Sequence, residues 1–429
     1  MRTVFAIFAL CLSVSPLQAG PHQPIPRPQI AQFLPSSPRP LARPMTGEER
    51  LIQASVTQSG FEDWVEDFKR RARSEGIRAS IFERAFAGVR YDAEVIRLDR
   101  HQSEFSKTMG QYLETAVSAN RINSGRAALA QYPQTFAKIE ARYGVEKEVV
   151  AAIWGLESAY GGFRGNSDVI RSLATLAYDG RRGAFFEEQL IAALKILQAG
   201  DVSPRAMTGS WAGAMGHTQF MPSSYLDYAV DFTGDGRRDI WSNDPTDALA
   251  STAAYLARHG WRKGLPWGVE VALPPGFDYA LTGHGVKRSA RQWAKLGVRR
   301  IGANTLPDLG QSSILVPGGA GGPALMISSN FNVIERYNAA DSYVIAVGHL
   351  SDRMRGAGGF RAAWPNDERG LKTSERKELQ ARLTAAGYST QGVDGRIGPN
   401  TIDAIRKYQA ARGLTPDGYP SLSLLQRLR

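Results

Sequence analysis

The chain has 429 residues, of which 43% are hydrophobic and 22% are charged, and its formal net charge is +11. A chain of this length can bury a sizeable core, and its single cysteine excludes an internal disulfide framework. The basic charge indicates attraction to polyanions. No stretch beyond the N-terminal segment approaches the roughly 20 apolar residues of a membrane span, so we expect no transmembrane segment.

Residues 1–19 are typical of a cleavable export signal, with Arg2 ahead of the apolar run 4–14. Cys11 lies inside this signal and follows a bulky leucine, so we expect a periplasmic protein that is not a lipoprotein. Residues 20–47 are rich in proline and poor in periodic apolar residues, which predicts an extended linker. An exported protein rarely meets nucleic acid. We therefore expect anionic cell-wall glycan as the polyanionic partner, and no nucleic acid.

Helical periodicity dominates residues 48–361, which predicts a mainly α domain. Several of the predicted helices end on glycine, as helix C-termini often do. The predicted helices are 60–76, 80–86, 122–143, 146–160, 185–198, 245–259 and 339–354. Residues 269–273 and 313–316 predict short strands, which would form a small β excursion within this domain. The glycine run 318–322 lacks the ending of a phosphate-binding loop and predicts a turn.

Glu157 lies on the edge of an apolar stripe of the helix predicted at 146–160. The stripe consists of Val149, Ile153, Leu156 and Tyr160. Since residues three and four apart share a helix face, we expect the Glu157 carboxyl group to be partly removed from water. Desolvation raises the pKa of a carboxyl group, as a general acid working near neutral pH requires. We predict that Glu157 is the catalytic acid; the alternative is a surface glutamate paired with Arg164.

Two later segments are dense in small, amide and aromatic residues. The first is residues 209–225, and the second is residues 330–338, which Tyr343 follows closely. Amide and hydroxyl groups can bind sugar hydroxyls and acetamides, while aromatic rings and thioethers offer apolar faces to pyranose rings. Together the two segments predict a sugar-binding surface.

Taken in chain order, the Glu157 segment and these two segments closely resemble the lytic transglycosylases of the membrane-bound type B family, over most of residues 55–355. The resemblance implies a lysozyme-like catalytic domain that cleaves peptidoglycan between N-acetylmuramic acid and N-acetylglucosamine. The cleaved β-1,4 bond leaves a 1,6-anhydromuramyl end, and no water is added. Glu157 matches the family's sole catalytic carboxylate. The family's glycan-contacting residues match Ser210, Gln219, Met221, Tyr255, Tyr337, Asn338 and Tyr343.

Other interpretations stay open at this point. A lysozyme-type hydrolase on a similar fold would need a second carboxylate, such as Asp168 or Asp179, to position water. A noncatalytic wall-binding protein would fit the basic charge. The tyrosines at 255, 337 and 343 are equally compatible with ordinary core packing. The sequence assigns no protein partner among the wall-synthesis or division proteins.

Residues 231–239 resemble the start of an EF-hand calcium loop, with oxygens at positions 1, 3 and 5 and glycine at position 6. Position 12 is Ser242 instead of the usual glutamate. Some members of the resembled family bind calcium here, which implies the ligands Asp231, Thr233, Asp235, Arg237 and Asp247. A solvated aspartate turn is the alternative. We expect any calcium to be structural, and the reaction to require no cofactor.

Residues 371–429 predict a separate module of short helices, at 374–386, at 400–412 and from Ser421 onward. Aspartate-glycine turns follow the first two helices, at 394–395 and 417–418. This pattern resembles the peptidoglycan-binding domain attached to many wall enzymes, which implies a binding role. The module contains ten basic and five acidic residues, so its charge also suits an anionic wall polymer.

Overall fold

The computed structural model describes residues 47–100, 107–303, 305–365 and 369–429, with side chains from residue 57 onward. The expected export signal and nearly all of the expected linker lie outside these residues. The helices are α1 (Gly47–Ser74), α2 (Ala79–Phe86), α3 (Ala93–Arg100), α4 (Met109–Ala116), α5 (Ala119–Gln131), α6 (Pro133–Tyr143), α7 (Lys147–Ser158), α8 (Val169–Asp179), α9 (Gly183–Ala199), α10 (Pro222–Tyr228), α11 (Thr246–Arg258), α12 (Ala290–Lys295), α13 (Ser329–Tyr337), α14 (Asp341–Met354), α15 (Thr373–Ala385), α16 (Pro399–Ala411) and α17 (Leu422–Leu428). The strands are β1 (Ser167–Asp168), β2 (Thr208–Gly209), β3 (Gly268–Ala272), β4 (Arg299–Arg300), β5 (Ser313–Leu315) and β6 (Ala324–Ile327).

The predicted mainly α fold is confirmed, and its buried side chains form separate hydrophobic cores. The largest core extends from Phe61 to Met354 and is built almost entirely by helices. A second core surrounds Trp293 under the four-stranded sheet. The C-terminal helices have a third core of their own around Leu379 and Ile405. Within the described ranges, no helix has the length and apolarity needed to cross a bilayer.

Helix α7 lies at the centre of the largest core. Its residues 150–153 are completely buried, with α5, α11 and α14 packed around it. Gly155 allows this helix to pass close to the Tyr160 ring, because a Cβ at that position would lie 2.5 Å from the ring. Close packing of this kind fixes the direction of side chains in the last turn of α7, where Glu157 lies.

Several helix boundaries differ from the prediction. The helix predicted at 122–143 is two helices, because Pro133 lacks a backbone N–H and begins α6 instead of continuing α5. The helix predicted at 146–160 ends at Ser158, since Ala159 and Tyr160 adopt left-handed conformations with φ of 49° and 60°. The sequence did not predict the helices α3, α4, α8, α10, α12 and α13. The Asp168 carboxylate caps α8 by accepting the Arg171 N–H.

The β excursion is confirmed as an antiparallel sheet with the strand order β4-β3-β6-β5. The two predicted strands correspond to β3 and β5, but they do not pair with each other. The unpredicted strand β6 lies between them, with Gly268 opposite Ile327 and Ser313 opposite the same residue. All four residues of β6 are buried, so the strand has no polar alternation by which to detect it. The glycine run beside it forms a single 3-10 turn at Gly319–Gly321, in agreement with the predicted turn.

The C-terminal helices α15 to α17 form a module with an internal repeat. Gln380 donates to Asp394 and accepts the Gly395 N–H, which ties α15 to the first aspartate-glycine turn. Gln409 makes the same pair of bonds from α16 to Asp417 and Gly418. Both turns therefore owe their shape to a glutamine on the preceding helix.

The module also contacts the sheet region. The Ala320 N–H donates to the Asp417 carboxylate at 2.9 Å, and Arg406 donates to the Thr282 hydroxyl at 2.8 Å. Gly319 allows this approach, because a Cβ there would lie 2.6 Å from Asp417.

Candidate active site

Glu157 lies in the last turn of α7 and accepts a hydrogen bond from the Tyr343 hydroxyl at 2.6 Å. The residue touches solvent at one edge, yet protein packed around its carboxyl group removes most of its hydration. This desolvation raises the pKa of Glu157 to about 7, and the Tyr343 hydrogen bond opposes part of that rise. The predicted rise in the pKa of this carboxyl group is confirmed.

The alternative pairing of Glu157 with Arg164 is wrong. The Arg164 guanidinium donates to the Trp241 carbonyl at 2.7 Å and to Asn243 Oδ1 at 3.0 Å. It therefore anchors the loop after α7 to residues 241–243 and leaves Glu157 bonded to a tyrosine hydroxyl.

Tyrosines surround the Glu157 carboxyl group. Tyr343, on α14, is 4% exposed, and the Tyr337 hydroxyl donates to the Thr218 carbonyl at 2.6 Å. Glu157 acts electrostatically on both tyrosines, and burial raises the pKa of each hydroxyl well above its ordinary value. The two hydroxyls therefore stay protonated and act as hydrogen-bond donors near neutral pH.

Tyr112, on α4, also faces this site, although no sequence pattern predicted it. Burial and the nearby Glu157 raise the pKa of Tyr112 to about 12. Helix α4 is a short segment between two others, and only its packing on α14 brings it here. No local pattern links Tyr112 to Glu157.

Tyr255 joins the same aromatic group from α11. Its ring lies 5.1 Å from the Tyr337 ring in an edge-to-face arrangement, and its hydroxyl donates to the Arg336 carbonyl. The residue is 8% exposed. All three predicted tyrosines thus have hydroxyl groups committed to protein acceptors, so each has a packing role whatever else it contacts.

The middle segment folds into a tight loop. Met215 and Phe220 exchange backbone hydrogen bonds of 2.8 and 3.0 Å, and the Ser210 hydroxyl accepts the Ala214 N–H at 3.1 Å. Gly209 is needed here, because a Cβ would lie 2.2 Å from the Ala214 carbonyl oxygen.

Gln219 holds this loop against the segment that follows α7. The residue has a left-handed φ of 54° and is nearly buried. Its amide donates to the Gly216 carbonyl at 2.8 Å and to the Arg164 carbonyl at 3.1 Å. Met221, half-buried, ends the loop just before α10. Asn338 caps its own turn by accepting the Ala340 N–H, and none of its described bonds reaches Glu157.

His217, in the middle segment, is hydrogen-bonded to α7 through Trp154 and Ser158. Its Nδ1 accepts the Trp154 indole N–H at 3.1 Å, so its Nε2 carries the proton and donates to the Ser242 carbonyl at 2.7 Å. Burial lowers the pKa of His217 below its ordinary value, so the ring is neutral and structural. An open cavity of about 410 Å³ lies beside His217 and is also bordered by Trp154 and Arg164.

Neither candidate for a second catalytic carboxylate lies at the site. Asp168 caps α8, and Asp179 forms an ion pair with Arg100 at 2.7 Å. Both carboxylates are thus occupied by structural partners elsewhere, which removes the two groups that the hydrolase alternative named for positioning water.

The candidate calcium loop brings together the carboxylates of Asp231, Asp235 and Asp247, whose oxygens lie within 4.8 Å of one another. Asp247 is 2% exposed and accepts the backbone N–H groups of Phe232 and Thr233. Hard oxygen ligands from converging carboxylates fit calcium. The Thr233 hydroxyl donates to Asp231, and the Arg237 N–H donates to Asp235, so both residues shape the loop whether or not an ion is bound.

Comparisons with known proteins agree with this geometry. The family described as "Transglycosylase SLT domain" matches residues 60–352, and the "Putative peptidoglycan binding domain" matches residues 372–428. The chain is 34% identical over 251 residues to the membrane-bound lytic murein transglycosylase B of Escherichia coli K12, an alignment that spans 57% of this chain and 66% of that relative.

Solved structures give the same assignment. SltB3 from Pseudomonas aeruginosa, crystallised in complex with NAG-anhNAM-pentapeptide, is 49% identical and superposes with a TM-score of 0.84, covering 86% of this chain and 99% of that one. Escherichia coli Slt35 in complex with calcium is 29% identical, with a TM-score of 0.58, and the match covers 70% of this chain and 93% of that one. This chain therefore belongs to the lytic transglycosylase SLT family and carries a peptidoglycan-binding domain after its transglycosylase domain.

Proposed function

We propose that this chain cleaves the β-1,4 bond between N-acetylmuramic acid and N-acetylglucosamine in peptidoglycan, with Glu157 as its single acid and base. The observation that carries the proposal is the Glu157 carboxyl group, whose pKa of about 7 keeps a substantial fraction protonated at neutral pH. The proposal is supported by the 49% identical SltB3, whose bound fragment contains an anhydro muramyl unit.

The mechanism follows from the position of the proton. Tyr343 donates to Oε1 of Glu157, so the other oxygen, Oε2, is the one free to carry the proton. Oε2–H donates its proton to the glycosidic oxygen as the C1–O bond breaks. The positive charge that develops at C1 is stabilised by the substrate's own acetamide, which makes a second carboxylate unnecessary.

The second half of the reaction returns the proton. Glu157, now a carboxylate, accepts the proton of the muramyl C6 hydroxyl while that oxygen bonds to C1. The product is a 1,6-anhydro ring, and Glu157 regains its starting state. The Tyr343 hydroxyl stabilises the carboxylate between the two steps, because it remains a donor throughout.

The glycan contacts are also a proposal. Gln219 and Ser210 lie in the tight middle loop, and Tyr343 and Tyr337 line the carboxyl group. We expect Gln219, Ser210 and Asn338 to bind acetamide and hydroxyl groups, and Met221 to pack on a sugar face. Tyr255 supports Tyr337 from behind. We assign residues 48–361 to catalysis and 371–429 to wall binding.

Product analysis tests the reaction. Mass spectrometry of digested peptidoglycan is expected to find anhydromuramyl ends, and Glu157→Gln is expected to lower their release by at least about a hundredfold. Reducing muramic acid ends would instead indicate the hydrolase. A native rate for Glu157→Gln would refute the role of this residue, and an absence of soluble products would indicate a noncatalytic wall-binding protein.

We propose a structural calcium ion at Asp231, Asp235 and Asp247, supported by their convergent carboxylates and by the Slt35 complex. Binding to the folded state alone stabilises a protein by mass action. Calcium is therefore expected to raise the Tm of the wild type, relative to a chelator, and to have no effect on Asp235→Asn. An equal rise in both proteins would count against this site.

We further propose that the protein acts in the periplasm after export, because its substrate is the cell wall. Fractionation of cells with an antibody to the chain tests this location. Recovery in the cytosolic fraction, with residues 1–19 retained, would contradict it.

A further inference from the structure

An exposed aromatic side chain lies in the loop immediately after the helix that carries Glu157. Phe163 is 52% exposed, and it belongs to none of the hydrophobic cores among the described residues. Full burial of a phenylalanine contributes roughly 1.5–3 kcal/mol, so this ring forgoes about half of that stabilisation in the free protein. A large side chain kept in water at the edge of a site calls for an explanation beyond folding.

The loop that carries Phe163 is held firmly at both ends. The Phe163 N–H donates to the Ser158 carbonyl at 2.9 Å, which fixes the start of the loop to the end of α7. Arg164 anchors the other end through its hydrogen bonds to Trp241 and Asn243. The ring therefore projects from a preorganised backbone, as a binding platform requires.

The same loop abuts the residues proposed to contact glycan. The Arg164 carbonyl accepts the Gln219 amide at 3.1 Å. Gly165 approaches the middle segment so closely that a Cβ there would lie 2.2 Å from the Gly209 carbonyl and 2.6 Å from the Ser210 nitrogen. The backbone that directly follows Phe163 therefore adjoins Ser210 and Gln219, two of the residues proposed to bind glycan.

The surroundings of the ring favour an uncharged ligand. The neighbouring Arg164 guanidinium is committed to protein carbonyl and amide oxygens, so it offers little attraction to a free carboxylate. A flat apolar ring instead fits the C–H face of a pyranose, while the sugar's hydroxyl groups stay in water.

We propose that Phe163 forms an additional sugar subsite, in which its ring packs against an N-acetylhexosamine of the glycan strand. This subsite lies beyond the contacts of Ser210 and Gln219 and lengthens the stretch of glycan that the enzyme binds. The inference rests on the proposed function, since it requires a glycan strand in the cleft. Phe163 takes no part in the proton transfers, and its contribution is to binding.

The test compares variants at Phe163 on purified glycan strands of two lengths, a tetrasaccharide and an octasaccharide, with anhydro-ended products measured by chromatography. On the octasaccharide, Phe163→Ala is expected to raise KM by about threefold to tenfold and to leave kcat nearly unchanged, because an aromatic contact of this kind contributes little more. Phe163→Trp is expected to restore the wild-type KM. Phe163→Leu is expected to behave like Phe163→Ala, since it keeps apolar volume without a flat face.

A matched control and a length comparison complete the test. Leu296→Ala removes another exposed hydrophobic side chain, 39% exposed in the sheet region, and is expected to change neither KM nor kcat. The tetrasaccharide is expected to be less sensitive to Phe163→Ala than the octasaccharide. An unchanged KM for Phe163→Ala, or equal losses on both substrates, would overturn the subsite. Failure of the wild type to form anhydro ends would overturn the proposed function as well. If the wild type forms anhydro ends and Phe163→Ala has an unchanged KM, the subsite alone is rejected.

Discussion

In the proposed mechanism the carboxyl group of Glu157 has to be protonated when the glycosidic bond breaks, and its neighbours set the pH at which that proton is lost. Burial raises its pKa to about 7, whereas the hydrogen bond from Tyr343 lowers it. The two effects come from different residues. The protein packed around α7 raises the pKa, and the Tyr343 hydroxyl lowers it. The balance between them can therefore be changed by one substitution.

Tyr343→Phe removes the hydroxyl that stabilises the Glu157 carboxylate. The pKa of Glu157 is expected to rise above about 7, so the protonated acid persists to higher pH. The alkaline limb of the pH profile of kcat/KM is therefore expected to move to higher pH, with a lower maximal rate. Tyr91→Phe, which removes the hydroxyl of a tyrosine packed on Phe61 and Tyr178, is the control. An alkaline limb that stays in place would mean that Tyr343 does not act on this carboxyl group.

The same titration affects stability. The pKa of Glu157 is about 7 in the folded protein against an ordinary value of 4.5, so the folded state favours the proton. Folding stability is therefore lost as pH rises from about 4.5 through 7. Glu157→Gln does not ionise, so its free energy of unfolding is expected to gain on that of the wild type over this range. Denaturant titrations at pH 4 and pH 8 measure the difference, and a constant difference would argue against a raised pKa.

At the scale of elements, the contact between the loop after α7 and the middle segment positions the site. Gly165 has a left-handed φ of 83° and lies against Gly209 with no room for a Cβ. Gln219 donates across the same contact. The two segments meet only because both lack side chains at the point of approach.

Gly165→Ala tests this contact, with Gly200→Ala as a matched control. Gly200 has a similar φ of 89° but no atom within 4 Å of an added Cβ. Both variants are expected to lose about 1 kcal/mol from the left-handed conformation, and Gly165→Ala is expected to lose about 1–3 kcal/mol more from overpacking. Chemical denaturation measures both values. Equal losses in the free energy of unfolding would show that an added Cβ at Gly165 causes no overpacking against Gly209.

At the scale of the whole molecule, the C-terminal module of α15 to α17 has its own core, and its contacts with the sheet region include two hydrogen bonds. A protein that ends at residue 365, and so keeps Trp364 packed against the largest core, is therefore expected to keep its fold and its turnover of soluble strands. It is also expected to lose most of its binding to insoluble peptidoglycan, because the basic module is gone. Co-sedimentation and product release measure the two properties. Undiminished sedimentation would place wall binding in the catalytic domain.

Local patterns predicted the elements whose residues are close together in the chain. The period of apolar residues located most helices, and the position of Glu157 on an apolar edge predicted its raised pKa correctly. Apolar periodicity failed to predict the ends of helices, because these depend on single residues and not on a repeat. Pro133 divides one predicted helix, and Ala159 and Tyr160 end another in conformations that their residue types rarely adopt.

The sequence by itself determined the family resemblance, the mainly α fold and the C-terminal module, and it predicted the proposed catalytic acid, because each depends on residues at fixed, short spacing. Only the tertiary structure decided that Tyr343 bonds to Glu157 across 186 positions, that Tyr112 faces the same carboxyl group, and that β6 separates β3 from β5. The physical reason is that such contacts depend on how α4, α7 and α14 pack together. Packing is a property of complementary shapes, which short-range periodicity does not record.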